Sequence, residues 1–316
     1  MLYLNLDPGF KAGFEMGDNI EFETFTFPGG EVSIKLPLGT AAESVMIIQR
    51  IRTSDDIMLI LLTVNALREY DCVKEISLYI PYMPYGRQDR VCSKGEAFSL
   101  KVFAQLINSC GFRKVHTFDA HSDVGPALIN NCLVHDNETF VLRAMRDYIS
   151  LYDLQDVNIV APDSGAVKKI YKLVQSFSTE FPDVNFSLTV CDKIRNLKTG
   201  EIIRTEVYAD RVFAHSIIID DIIDGGRTMV EVSKALRQKG TEHVTMMVSH
   251  GIFSKGYGLF VDTFDRIYTT DSFKNHTEVL VERSRHTADQ PCSLVRRQHI
   301  RDEGYPSAWF QTIGII

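Results

Sequence analysis

Residues 216–228 read Ser-Ile-Ile-Ile-Asp-Asp-Ile-Ile-Asp-Gly-Gly-Arg-Thr, and no other stretch limits the fold and chemistry of this chain so tightly. Positions 216–219 carry three β-branched residues without apolar–polar alternation, which predicts a strand buried in a parallel sheet. Asp220 and Asp221 follow at its C-terminal end. Asp224, Gly225, Gly226, Arg227 and Thr228 then lead into 229–239, which has helical periodicity and stops at Gly240. A strand, an acidic pair and a glycine turn that opens a helix suit a phosphorylated sugar. Free N–H groups at a helix start hold phosphate, glycines let the backbone approach it, and paired carboxylates accept hydrogen bonds from vicinal hydroxyls. Helix capping would account for one of these acids; three exceed it.

The 316 residues fit one large domain or two medium ones, and 45 % hydrophobic content is enough for a substantial core. A net charge of −7 argues against a general nucleic-acid binder. Cysteines 72, 92, 110, 132, 191 and 292 are scattered, with no CxxC pair, which disfavours a zinc site or a disulfide framework and fits reduced thiols in a cytoplasmic protein. The first residues lack a basic, apolar leader, and no run reaches the ~18 apolar residues of a membrane span.

Strand-like and helix-like segments alternate. Extended pieces flank Pro28-Gly29-Gly30 within 20–36. Strands are expected at 44–49, 75–80, 114–118, 158–161, 186–191, 243–249, 266–269 and 278–281, and helices at 55–70, 98–109 and from 165. Residues 201–208 read as part of a β-flap. The alternation is the mark of parallel sheets flanked by helices, and it occurs twice, which predicts two similar α/β domains, 1–145 and 146–316. In such sheets ligands sit at the carboxyl ends of strands, where the polar motifs fall.

Four further motifs carry chemistry. Pro81-Tyr82-Met83-Pro84-Tyr85-Gly86-Arg87-Gln88-Asp89-Arg90 follows a strand, and its arginines suit bidentate phosphate capture. Asp119-Ala120-His121-Ser122-Asp123 places one imidazole between acids at another strand end. Pro162-Asp163-Ser164-Gly165 adds a carboxylate at a third. One imidazole, Asp163 and nucleotide phosphates would suit Mg²⁺, which takes few protein ligands. In Asp192-Lys193-Ile194-Arg195 two cations two apart share one side of an extended segment and would close over phosphates. No Walker A, GxSxG or HExxH pattern occurs.

With these motifs in this order, from about Phe27 to Asp271, the chain resembles the ribose-phosphate pyrophosphokinases, also called phosphoribosyl-diphosphate (PRPP) synthetases. The resemblance implies two phosphoribosyltransferase-like domains plus a β-flap, the first domain carrying the ATP motifs and the second the ribose-phosphate loop and flap. It implies an ATP site made by Phe27, Glu31, Arg87, Gln88, Asp89 and His121, with Phe27 and Glu31 serving a neighbouring subunit. It places Mg²⁺ at His121 and Asp163, ribose phosphate at Asp163, Asp220, Asp221, Asp224, Gly225, Gly226, Arg227 and Thr228, and catalysis on Lys193, Arg195 and His121. Ser249-His250-Gly251-Ile252-Phe253-Ser254 also follows the family.

The implied reaction is diphosphoryl transfer from ATP to the anomeric hydroxyl of ribose 5-phosphate, by a homo-oligomer of at least two subunits, with small-molecule substrates and neither nucleic acid nor membrane as partner. The chain departs from the family pattern in four places. Arg227 enters the 5-phosphate loop, Gly29 replaces an adenine-contacting Asp or Asn, 91–96 lacks the usual basic run, and the N-terminal region is short. The tail after about 282 is rich in Arg and His and does not align. Arg227 keeps open an acceptor with an esterified 5-phosphate, such as ADP-ribose in NAD salvage. Against a non-catalytic regulatory homologue stand His121, Lys193 and Arg195. A plain phosphoribosyltransferase would leave residues 87–90 and His121 unexplained.

Overall fold

The computed structural model describes residues 1–12, 18–37, 42–195, 202–276 and 312–313, with backbone alone at 193–195, 202–205, 261 and 312–313. The expected strand at 278–281 and the Arg- and His-rich tail lie outside the described residues. The chain divides into two compact units. One is built from Met1–Asn137 together with Asp271–Asn275, and the other from Glu138–Thr270 together with His276 and residues 312–313.

The first unit contains β1 (Leu2–Asn5), the hairpin β2 (Glu23–Thr26) and β3 (Val32–Lys35), β4 (Ser44–Ile48), α1 (Ser54–Arg68), β5 (Glu75–Ile80), α2 (Ser99–Ser109), β6 (Val115–Phe118), α3 (Val124–Leu128) and β7 (Cys132–His135). Strands β1, β4, β5, β6 and β7 pair in that order, all parallel. Alternate residues of the central strands, among them Val45, Ile47, Leu78, Ile80 and Val115, join Ile60, Val64 and Leu67 of α1 and Leu100, Phe103 and Ile107 of α2 in one core. Each such side chain is stabilised by roughly 1.5–3 kcal/mol on burial. Helix α1 starts at a capping box: the Thr53 hydroxyl accepts from the Asp56 N–H at 3.3 Å, and Asp56 Oδ2 accepts from the Thr53 N–H at 2.7 Å. Strand β7 and helix α3 are too short to stand out as periodic segments, and the sequence reading omits them.

The second unit contains α4 (Glu138–Tyr152), β8 (Asp156–Ala161), α5 (Val167–Glu180), β9 (Asn185–Arg195), β10 (Ile202–Tyr208), β11 (His215–Ile223), α6 (Arg227–Gln238), β12 (His243–Gly251), α7 (Gly258–Val261), β13 (Arg266–Thr270) and β14 (Thr312–Ile313). The sheet order is β10-β9-β8-β11-β12-β13-β14. The five inner strands are parallel; β10 and β14 pair antiparallel at the margins. Counted along the chain, the five inner strands stand in the order 2-1-3-4-5, so the winding reverses between β8 and β11. That reversal point is where an open α/β sheet leaves a crevice for ligand. The first unit's sheet has no reversal.

Helix α4 is absent from the sequence expectation, which runs a domain boundary at 145 through its middle. Its buried Phe140, Val141, Ala144, Met145 and Tyr148 recur at helical spacing. Strand β11 also runs further than expected, through the acidic pair to Ile223. Its pairing with β8 stops at Ile218, whereas its pairing with β12 continues to Ile223 opposite Gly251. The last residues of β11, Asp220 and Asp221 among them, therefore border the opening beside β8.

Candidate active site

In the first unit the polar loops leave the carboxyl ends of β5 and β6. After β5 the chain turns through Pro81 and Tyr82 to Tyr85, whose φ is 60°. The Gln88 N–H donates to Tyr85 O at 2.8 Å, which closes the turn. Arg87, Gln88 and Arg90 are exposed, while Asp89 is half-buried and pairs through Oδ1 with Arg90 Nε at 3.3 Å. After β6, Asp119 is buried at φ 42°, and its N–H donates to His135 O at 2.8 Å. Two non-glycine residues at positive φ in adjacent loops are the kind of strain that collects at binding sites. The loops are joined: the Phe118 N–H donates to Pro81 O at 3.1 Å. A Cβ on Gly86 would stand 3.2 Å from Met83 O and 3.7 Å from His121 Cβ. The loop that carries Arg87, Gln88 and Asp89 thus approaches His121 at Gly86. The arginines supply planar donors for phosphate oxygens.

Behind these loops His116 and His135 stack at 5.4 Å, with Nδ1 of one 3.1 Å from Nε2 of the other. Burial, then the charges of His135 and Lys114, push His116 down to about 4, so this support is neutral near pH 7.

Phe27 and Glu31 flank the turn that joins β2 to β3. The turn closes where the Phe27 N–H donates to Glu31 O at 2.8 Å. The Phe25 and Phe27 rings meet edge to face at 4.8 Å and are 48 % and 51 % exposed. A Cβ on Gly29 would fall 2.6 Å from Glu31 Oε2. The space beside Gly29 is therefore filled by the carboxylate of Glu31.

In the second unit the site gathers at the reversal point. Asp163, two residues past β8, accepts through Oδ1 from the Ala166 N–H at 3.2 Å and so aims the chain into α5. Asp220 Oδ1 accepts from the Asp221 N–H at 2.9 Å. Burial first, then the charges of Asp221 and of Asp163, push the Asp220 carboxyl well above its usual range. Such a crowd of carboxylates is relieved by hydroxyl donors or by a cation. Asp224 Oδ1 accepts from the Ser254 N–H at 3.2 Å, which ties the turn to the loop after β12. Gly226 takes φ 73° and precedes α6 without any side-chain cap, so the first-turn N–H groups at Arg227 and Thr228 remain available to an anion. Phe260 lies directly under Gly226, where a Cβ would stand 2.1 Å from its ring.

Lys193 and Arg195 occupy β9 opposite Thr205 and Ile202 of β10. Their side chains lie outside the described residues. The sequence reading names Gly86 and Ser254 only as members of longer motifs, without a role, and misses Phe260.

A profile of the N-terminal domain of ribose phosphate pyrophosphokinase matches residues 14–111, and a phosphoribosyl transferase domain profile matches 135–281. The ribose-phosphate pyrophosphokinase of Ureaplasma parvum is 30 % identical over 231 residues, which span 72 % of this chain and 67 % of that protein. The one from Agrobacterium fabrum is 30 % identical over 73 % of this chain and 71 % of its own. The chain belongs to the ribose-phosphate pyrophosphokinase family. Its fold is also that of the phosphoribosylpyrophosphate synthetase from Mycobacterium smegmatis, with a TM-score of 0.65 at 20 % identity over 84 % of this chain and 85 % of that one.

As a member of that family the chain is an enzyme of the transferase class, in a family that acts on small molecules. Among the described residues no helix is long and apolar enough to cross a membrane. Nor do three His, Cys, Asp or Glu side chains converge there as a metal cage. Asp163 beside the acidic pair is a hard-oxygen donor set, which fits an ion such as Mg²⁺ that keeps its waters and shares substrate phosphates.

Proposed function

We propose that the chain transfers the diphosphoryl group of ATP to the C1 hydroxyl of ribose 5-phosphate, releasing AMP and PRPP. The observation that carries this reading is the acidic pair and uncapped helix start at the sheet's reversal point. Asp220 and Asp221 hold the ribose hydroxyls, Asp224 sets the turn, and the N–H groups from Gly225 to Thr228 hold the 5-phosphate. Arg87, Gln88, Asp89 and His121 bind ATP. The C1 oxygen attacks the β-phosphorus, the bond from that phosphorus to the oxygen bridging the α-phosphate breaks, AMP leaves with that oxygen, and the hydroxyl proton passes to solvent. Lys193 and Arg195 meet the charge on the transferring group, and closure of the flap excludes water. Asp163 and His121 are the side chains that would hold Mg²⁺ with substrate phosphates, and the ion would supply charge neutralisation. The reading assigns ATP to the first unit and ribose phosphate to the second, in a cytoplasmic enzyme.

Arg227 favours a second reading of the acceptor. It is exposed at the first position of α6, where the helix dipole opposes a cation. A diphosphate-linked acceptor such as ADP-ribose would offset that charge. The test is AMP release from ATP with each acceptor, with and without EDTA, in wild type and Arg227→Thr. If Arg227 grips ribose 5-phosphate, the substitution raises its KM, by up to ~3 kcal/mol for a charged hydrogen bond. If the acceptor is ADP-ribose, wild type prefers it and the substitution erodes the preference. No AMP with either acceptor, or full turnover in excess EDTA, would refute the reaction as written.

Exposed Phe25 and Phe27 support the reading that the hairpin completes a neighbour's adenine site in a homo-oligomer of at least two subunits. Light scattering at assay concentration should show a dimer or larger, and Phe27→Ser should weaken ATP use. A fully active monomer would overturn this.

A further inference from the structure

Five residues just past β13, Asp271–Asn275, belong to the first unit, where Asp271 and Ser272 are buried. A single guanidinium pins both ends of this segment. Arg50, two residues past β4, is 2 % exposed. Its Nη1 donates to Asp271 O at 3.0 Å and to Asn275 Oδ1 at 2.7 Å, and its Nε donates to Asp7 Oδ2 at 2.7 Å. The Phe10 ring lies 4.9 Å from the guanidinium carbon. Asn275 Nδ2 donates in turn to Gly9 O at 2.8 Å. Between the two pins the Phe273 ring meets Tyr82 edge to face, at 5.5 Å and 89°. Tyr82 is buried and stands three residues before the left-handed Tyr85 and five before Arg87.

The proposed reaction uses neither Arg50 nor Phe273. A buried ion pair of this kind adds little net stability over apolar side chains of the same volume, because both charges lose their hydration. What it does supply is geometry: donors in a rigid fork hold two acceptors of the segment at once. The segment in turn gives Tyr82 a fixed aromatic wall, and so fixes the start of the loop that presents Arg87 and Gln88.

We propose that Asp271–Asn275 is a strap that positions the nucleotide loop 81–90, with Arg50 as its anchor and Phe273 as its contact. The proposal rests on the reading of 87–89 as part of the ATP site. Arg50 and Phe273 are positioning residues: they hold the loop in its binding conformation before ATP arrives, so that binding need not order it. Loss of the strap contact falls on nucleotide affinity and leaves acceptor binding alone.

The test uses the full chain and α,β-methylene-ATP, which cannot undergo cleavage at the α–β bridge. Calorimetry measures its Kd for wild type, Phe273→Ala and Phe273→Tyr, with the KM for ribose 5-phosphate and the Tm measured alongside. Phe273→Ala should weaken the nucleotide about three- to tenfold, the range of an aromatic pair, with the acceptor KM unchanged and Phe273→Tyr near wild type. If Phe273→Ala does not fold, Phe273→Leu, which keeps apolar volume without the edge-to-face contact, carries the same expectation. Unchanged nucleotide affinity in the variant would overturn the strap alone, as would parallel weakening of both substrates. A wild type that binds no nucleotide would overturn the ATP reading and the strap with it.

Discussion

Gly226→Ala is expected to lower stability by about 2–5 kcal/mol and to abolish use of the acceptor. Two effects add. The backbone at Gly226 has φ 73°, a conformation that costs a residue with a Cβ about 1–2 kcal/mol. The new Cβ would also stand 2.1 and 2.4 Å from Phe260 ring atoms, and overpacking of that kind costs about 1–3 kcal/mol. Phe260 cannot swing clear easily, because it is buried and meets Phe253 edge to face at 5.0 Å. Relief would come from a shift of the turn itself, which moves the first N–H groups of α6 away from the proposed phosphate position. Gly225 provides the contrast, since no atom lies within 4 Å of a Cβ built there. Urea unfolding of Gly225→Ala and Gly226→Ala should show a large loss only for the second. Equal losses would remove the Phe260 contact as the cause.

Lys193→Ala should lower kcat by about 10²- to 10³-fold, the usual effect of deleting one donor aimed at charge that develops in a transition state. Nucleotide Kd should change little, because a contact made only in the transition state does not contribute to ground-state binding. The motivation is a Lys-x-Arg pair on β9, opposite β10, in a hairpin at the margin of the sheet. Rapid-mix turnover together with equilibrium binding of α,β-methylene-ATP separates the two quantities. Near-normal kcat would remove Lys193 from the chemistry, and a large rise in Kd would make it a binding residue.

Much of the candidate site was legible because its signals are local. The β-branched run at 217–219, the acids after it and the paired glycines before a helical stretch all fall within one βα turn, and backbone propensity over a dozen residues decides what such a turn becomes. The same holds for β5 with residues 81–90 and for β6 with Asp119. Helix α4 is absent from the expectation because a domain boundary at 145 divides its apolar spacing in two. Strands β7 and β9 differed from expectation in presence or length, since a strand's extent depends on what pairs with it and not on its own residues alone.

By itself the sequence determined the parallel α/β class, the strand ends that carry polar loops, and the residue types that suit phosphate and ribose. These follow from periodicity and from the donor and acceptor chemistry of side chains, which need no knowledge of distant neighbours. Only the tertiary structure decided the 2-1-3-4-5 strand order that opens the crevice between β8 and β11, the placing of Gly86 against His121, and the ring of Phe260 beneath Gly226. It alone showed that Arg50 takes its partners from Asp7, Asp271 and Asn275. Pairings of that kind join residues far apart in the chain, and which of many equivalent donors and apolar faces meet is settled by packing the whole core at once.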